Sequence, residues 1–308
     1  MAEERKSSVS EDVDALTRTI YVKWKNPSDE IVSTARIVDT LIKYKRSEAE
    51  GICVAAPNRN WAVQAKQGFA ANGVHAAICI ARTRLGKDER SALAALEAVA
   101  QGSADGAAGK AWGACGRDPR ELERIVADHG DERGASLIRA VGLSSLPGFE
   151  EALLHVNGDE DAAELLSVVK EQLAHPTPPR HLNMVPIMDY RAVKGDFKWL
   201  FLIGCVNGLV PGSAAFGNDE EKRTRAIETG RTAFLACLDA PSEHAVASSF
   251  SYIDEDIAKA ARIPYARVRH SHGQSLATCA PSMYLSEAGA ARPSTVGGQA
   301  FLRRFHLN

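Results

Sequence analysis

The chain has 308 residues, 45% of them hydrophobic and 25% charged, a profile that excludes a disordered or fibrous protein and leaves an ordinary folded one. Its 37 Lys and Arg against 39 Asp and Glu leave a net charge of -2, so there is no overall basic field and any contact with nucleic acid must be local. At this length a single core approaches its upper size, which favours one domain carrying a large insertion.

Residues 1–18 read as a charged, flexible arm, without the apolar stretch of a secretory signal, and no apolar run approaches the ~20 residues of a membrane span; the expected location is cytoplasmic. Six cysteines, Cys53, Cys79, Cys115, Cys205, Cys237 and Cys279, show no CxxC spacing, so free thiols are expected and neither disulfides nor a zinc site.

In chain order, Ile20 to Trp24 predicts a strand, and Asn26 then caps a helix with Pro27 in its first turn and Asp29 and Glu30 favouring its positive end. That helix runs to about Tyr44, with Ile31, Ala35, Val38, Leu41 and Ile42 forming its apolar stripe. Ile52 to Ala56 predicts a buried strand, Asn60 the cap of a helix through Phe69, and Ala76 to Ile80 another strand. This short alternation points to an α/β fold with a doubly wound parallel sheet. From Gly86 to Leu173 the pattern becomes helical, rich in Ala and Leu, so residues 86–181 are expected to form a helical insertion that leaves through a proline-rich linker at His175 to His181.

Strands return at Leu182 to Met188 and Trp199 to Ile203, the second apolar enough for a central position. Asp219 to Arg231 has acids in its first turn and bases after it, as a helix should; Phe234 to Leu238 suits either a continuation or a strand. A helix is expected around Asp254 to Arg262, within a C-terminal extension of residues 251–308.

Val185 to Gly195, VPIMDYRAVKG, runs into an apolar strand and then Gly208-Leu209-Val210-Pro211. The arrangement resembles the fifth motif of UvrD/Rep-type superfamily 1 DNA helicases, with Lys194 and Gly195 at the motif's Lys-Gly. A turn at a strand end can present backbone N–H groups and a lysine to phosphate, and glycine permits close approach. Arg191 stands where the family usually has His, and Asp196 where an acid would contact the nucleotide sugar. Glu220 to Thr232, EEKRTRAIETGRT, is similar to the sixth motif, with Arg231 at the position of its arginine; Ala226 and Gly230 depart from the pattern. Weaker likenesses are the strand and turn at Gly51 to Ile80, where Pro57 replaces the family's arginine and Arg59 lies nearby, and Ala280 to Leu285, APSMYL.

Together these segments span most of residues 19–290. They resemble the second RecA-like domain of such a helicase, formed here by residues 19–85 and 182–250 around the insertion. The resemblance implies ATP and magnesium as cofactors, shared with a missing N-terminal RecA-like domain in cis or trans, and single-stranded DNA as partner. It assigns the catalytic arginine to Arg231, nucleotide contacts to Lys194, Gly195, Asp196 and Arg231, and DNA contacts to Arg191, Lys194 and Arg59. It also makes Ala233 to Leu238 a strand and leaves Arg231 without a carboxylate partner.

No phosphate loop is present: Gly106 to Ala111, GAAGKA, is too short and lacks the magnesium-holding hydroxyl, so the chain alone is expected to be inactive as an ATPase. Asp254-Glu255 reads as helix N-terminal charge, His270-Ser271-His272 as a surface turn, and the four tryptophans mostly as core. The rival expectation is a non-catalytic DNA-binding or scaffold protein that retains a degenerate helicase fold.

Overall fold

A computed structural model describes residues 18–307 apart from 83, 131, 144–145, 147, 157–159, 178–181, 272 and 289–295. The arm before Arg18, the prolines Pro178 and Pro179 of the linker, and His272 therefore lie outside the described residues. The chain divides into two compact units, Met1–Ile78 with Arg180–Asn308, and Cys79–Pro179.

The first unit is an α/β fold whose seven-stranded sheet is parallel throughout and flanked by helices, consistent with a RecA-like fold. Strand β1 (Thr19–Trp24) leads into helix α1 (Pro27–Lys43), β2 (Ile52–Ala56) into α2 (Arg59–Ala71), and β3 (Ala76–Cys79) follows. After the second unit come β4 (Val185–Asp189), β5 (Trp199–Leu202), helix α9 (Glu220–Asp239) and β6 (His244–Phe250), the numbers α3 to α8 falling to the second unit. β10 (Val296–Gly297) completes the order β10-β1-β6-β5-β2-β4-β3. Strands distant in sequence meet as expected, with Val54 opposite Ile187 on one side and Phe201 on the other. Every residue of β2 and β5 is buried, which is why both read as continuous apolar runs without alternation.

Local chemistry fixes the helix ends. The Asn26 side chain accepts from the Asp29 N–H at 2.8 Å with Pro27 in the first turn. For α2 the cap is Asn58, not Asn60: its Oδ1 accepts from Trp61 N at 3.0 Å, so the helix starts earlier than its apolar pattern suggests. β4 likewise begins at Val185 instead of Leu182.

The larger correction concerns α9, which continues unbroken through Ala233 to Leu238, where the resemblance implied a strand. Its buried residues Gly230, Phe234, Cys237 and Leu238 recur at helical spacing and face inward together, which a strand's alternation would not allow. The edge toward β6 is then crossed by the turn at Pro241-Ser242, where Ser242 N donates to Phe197 O at 2.7 Å.

Beyond β6 the chain forms a second, three-stranded antiparallel sheet from β7 (Tyr252–Asp254), β8 (Tyr265–Ser271) and β9 (Gln274–Cys279), with helix α10 (Glu255–Ala260) between β7 and β8. Asp254 caps α10 by accepting from Asp256 N, the helix-charge role read from sequence. Helices α11 (Met283–Ala288) and α12 (Gly298–Arg303) follow, and β10 pairs with β1, so the chain beyond residue 250 contributes to the main sheet as well.

The second unit is helical among its described residues after β3: α3 (Lys87–Gln101), α4 (Gly106–Ala114), α5 (Pro119–His129), α6 (Gly134–Ala140), α7 (Glu150–Leu153) and α8 (Ala162–Ala174). It has its own core, with Leu96, Trp112, Leu137, Phe149, Leu165 and Val169 buried together. The glycine-rich Gly106 to Ala111 stretch is the first turn and more of α4, not a phosphate-cradling loop. All six cysteines are free and buried, and no helix is long and apolar enough to cross a membrane among the described residues.

Candidate functional site

β2 and β5 are neighbours, yet the chain leaves them in opposite directions, β2 through α2 toward β3 and β5 through α9 toward β6. At such a switch point the loops part above the carboxyl ends of the strands, the place where open α/β sheets usually take ligands. Here the loops are Pro57-Asn58 and Gly204 to Asn207. Gly204 has φ +70, and a Cβ on it would lie 2.9 Å from Trp61 Nε1 and 3.2 Å from Pro57 Cγ. The crevice is thus filled from within by Trp61, which is 3% exposed and stacked on Phe250 at 5.8 Å. Its Nε1 has no hydrogen-bond partner among the described residues.

Beneath Gly204 lies Glu30, from the first turn of α1 and wholly buried. Its carboxyl accepts from Gly204 N–H at 3.1 and 3.2 Å and meets the Ser248 hydroxyl at 2.5 Å. Burial pushes its pKa up to about 8, against which the hydrogen bonds from Ser248 and Gly204 act in the opposite sense. Cys205 beside it is raised well above the ordinary thiol range by burial and by Glu30. The sequence marked Glu30 only as a helix-end charge. Its position on the stripe with Thr34, Ile37 and Leu41, at helical spacing, was the signal for burial.

The segments carrying the resemblance converge on one another. Following β4, Tyr190 to Ala192 form a single tight turn that packs against α9. Lys194, Gly195 and Asp196 follow it, all exposed, with Gly195 at φ +136. A side chain at Gly195 would strike the Phe197 ring at 2.9 Å, so glycine is required by both conformation and space. Ala280 to Leu285 packs on the loop after β5: Ser282 N donates to Cys205 O at 2.8 Å, and Met283 N to Asn207 Oδ1 at 3.0 Å. From α11, the Tyr284 hydroxyl donates to Ile227 O of α9 at 2.7 Å, holding α11 against the helix that carries Arg231.

Arg231 is exposed but not unpartnered. It forms a two-pronged pair with Glu287 of α11, Nε to Oε2 at 2.6 Å and Nη2 to Oε1 at 3.1 Å, which corrects the expectation of an arginine without a carboxylate. The hydrogen bond to Glu287 raises the Arg231 pKa further. A guanidinium fork that grips two carboxylate oxygens has the geometry to grip two phosphate oxygens as well. Arg191 is folded back on Asp189, with bonds of 2.9 and 2.6 Å, and lies over the Tyr190 ring. Arg59 opens α2 beside the switch-point crevice and has an interaction partner of its own. The structure therefore brings together Arg191, the Lys194-Gly195 turn and the helix of Arg231, and sets Arg59 on the loop after β2. Among the described residues there is no group of three His, Cys, Asp or Glu able to hold a metal. Trp24, Trp61, Trp112 and Trp199 are all buried, so none is a base-stacking platform.

No protein-family model and no curated protein matches this chain.

Proposed function

We propose that the chain is the second RecA-like half of an ATP-dependent, single-strand-directed DNA helicase or translocase of the UvrD/Rep kind. The observation that carries the reading is convergence: the turn after β4, helix α9 and the Ala280 to Leu285 segment, each singled out by sequence resemblance alone, pack into one surface at the carboxyl side of the sheet. In this reading Lys194 and the N–H groups beside Gly195 face strand phosphates, and Arg231 reaches a nucleotide phosphate held mainly by a partner domain with its own phosphate loop. ATP with magnesium supplies the phosphoryl group whose hydrolysis drives stepping. This chain contributes an arginine charge to it and no metal ligand.

A second reading, a DNA-binding scaffold that has lost the ATPase, is favoured by specific observations. Pro57 and Trp61 fill the switch-point crevice, and the forks of Arg191 and Arg231 are both engaged by acids. Fluorescence anisotropy with a labelled oligo(dT) separates both readings from a protein unrelated to DNA. The chain binds the strand, and Lys194→Ala weakens binding and makes it less sensitive to salt by roughly the ~0.7 logarithmic slope of one lost single-strand phosphate contact. Absence of binding at low salt contradicts both.

A further inference from the structure

A groove of about 690 Å³ runs between the start of α1, the middle of α2 and the outer face of the small sheet. The small sheet has an inner and an outer face. Ile253, Ala277 and Cys279 are buried, while their neighbours Tyr252, Leu276 and Thr278 stay partly open. Arg269 lies opposite Leu276 and extends its guanidinium over the Tyr252 ring, 5.4 Å from the centroid. Ring and guanidinium thus form a flat cationic platform at the groove's rim. The groove is also lined by the aliphatic Ile31, Val32 and Ile257, by the exposed Gln64 and Gln67 of α2, by the exposed Lys25 just after β1 and, on the same sheet as the platform, by Gln274.

We infer that this groove binds an unstacked nucleotide of a single strand, a base against the Tyr252–Arg269 platform and its phosphate near Lys25. Three features support that occupant over an apolar helix. Bases stack on aromatic and guanidinium planes, and amides pair with base edges whatever the sequence. Charge favours a polyanion, since Lys25 lines the groove and the Arg269 guanidinium lies over the Tyr252 ring at its rim. Of the acids close by, Asp254 caps α10 and Glu255 pairs with Lys259 at 2.9 Å. The site is separate from the Lys194-Gly195 turn, because β1 and β4 are four strand spacings apart in the sheet, about 19 Å. The inference rests on the single-strand reading above and extends the strand's path over a hairpin that carries none of the residues quoted for the sequence resemblance.

The test is anisotropy of labelled oligo(dT) with the wild-type chain, Lys25→Gln/Arg269→Gln and Lys194→Ala, each checked for an unchanged thermal melt. Tyr252→Ala serves as a second variant that removes the platform without altering charge. The groove variants raise Kd about tenfold or more, the scale of one lost stacked base, and the double glutamine variant also lowers the salt slope. If Lys194→Ala weakens binding while both groove variants leave it unchanged, the groove inference is overturned and the function stands. If the groove variants weaken binding and Lys194→Ala does not, the groove holds and the turn's assignment fails. If the wild type binds no oligonucleotide, or the groove captures an apolar helical peptide while oligo(dT) binding is indifferent to its residues, the inference is overturned.

Discussion

Glu30 is a buried carboxyl group that accepts from a hydroxyl and an amide N–H, and its proton is therefore tied to folding. In the folded chain its pKa is about 8, against an ordinary value of 4.5. Between those values the folded state keeps a proton that the unfolded state has released, so stability falls as pH rises through this window and levels off above about pH 8. The groups facing it do not compete: Cys205, and Tyr21 beyond it, are both shifted upward and stay neutral there. Glu30→Gln keeps an oxygen that accepts from the Gly204 N–H and the Ser248 hydroxyl but cannot ionise, and a plot of melting temperature against pH should lose its downward slope across this window. A slope that persists in the variant shows that another group is responsible. Arg231 and Glu287 form a surface pair, screened by solvent, and Glu287→Gln should leave the melting temperature unchanged. What the sequence left open at this scale was partnership. Arg231 and Glu287 are 56 positions apart, and nothing local in either segment announces that α11 folds back onto α9.

At the scale of elements, most of the sheet was legible because buried parallel strands are continuous apolar runs and their helices carry local caps such as Asn26 and Asp219. The end of α9 was not: Phe234 to Leu238 suited either a continuation or a strand, the family pattern tipped the reading to a strand, and the packing of Gly230, Phe234, Cys237 and Leu238 makes it helix. Contacts between elements were not legible, and the α1–α2 crossing shows why. Gly68 sits where a Cβ would lie 2.3 Å from the Ile31 Cγ2 methyl, so glycine there reports another helix that its own neighbours do not reveal. Gly68→Ala should destabilise the chain by about 1–2 kcal/mol, the overpacking cost outweighing a gain of about 1 kcal/mol in helix propensity. In an Ile31→Ala background the same change should stabilise. Denaturant melts of the four proteins give the coupling directly, and additive effects would count against close helix packing.

For the whole molecule, the excursion after β3 has a core of its own, which predicts that residues 79–179 expressed alone form a helical unit with a cooperative thermal transition. A non-cooperative melt by circular dichroism contradicts that. In the proposed reading, the sheet, the three segments and the exposed Arg231 form one side of an ATP cleft, and the phosphate loop that no stretch of this sequence provides comes from a second domain. The most direct test is therefore DNA-stimulated ATP hydrolysis by the chain reconstituted with the RecA-like half that carries that loop, comparing wild type with Arg231→Ala. The account predicts no turnover by the chain alone, turnover in the assembly, and a loss of roughly a thousandfold or more in the variant with strand binding nearly unchanged. Helicase-like turnover by the isolated chain, or unaltered turnover of the assembly carrying Arg231→Ala, would contradict it.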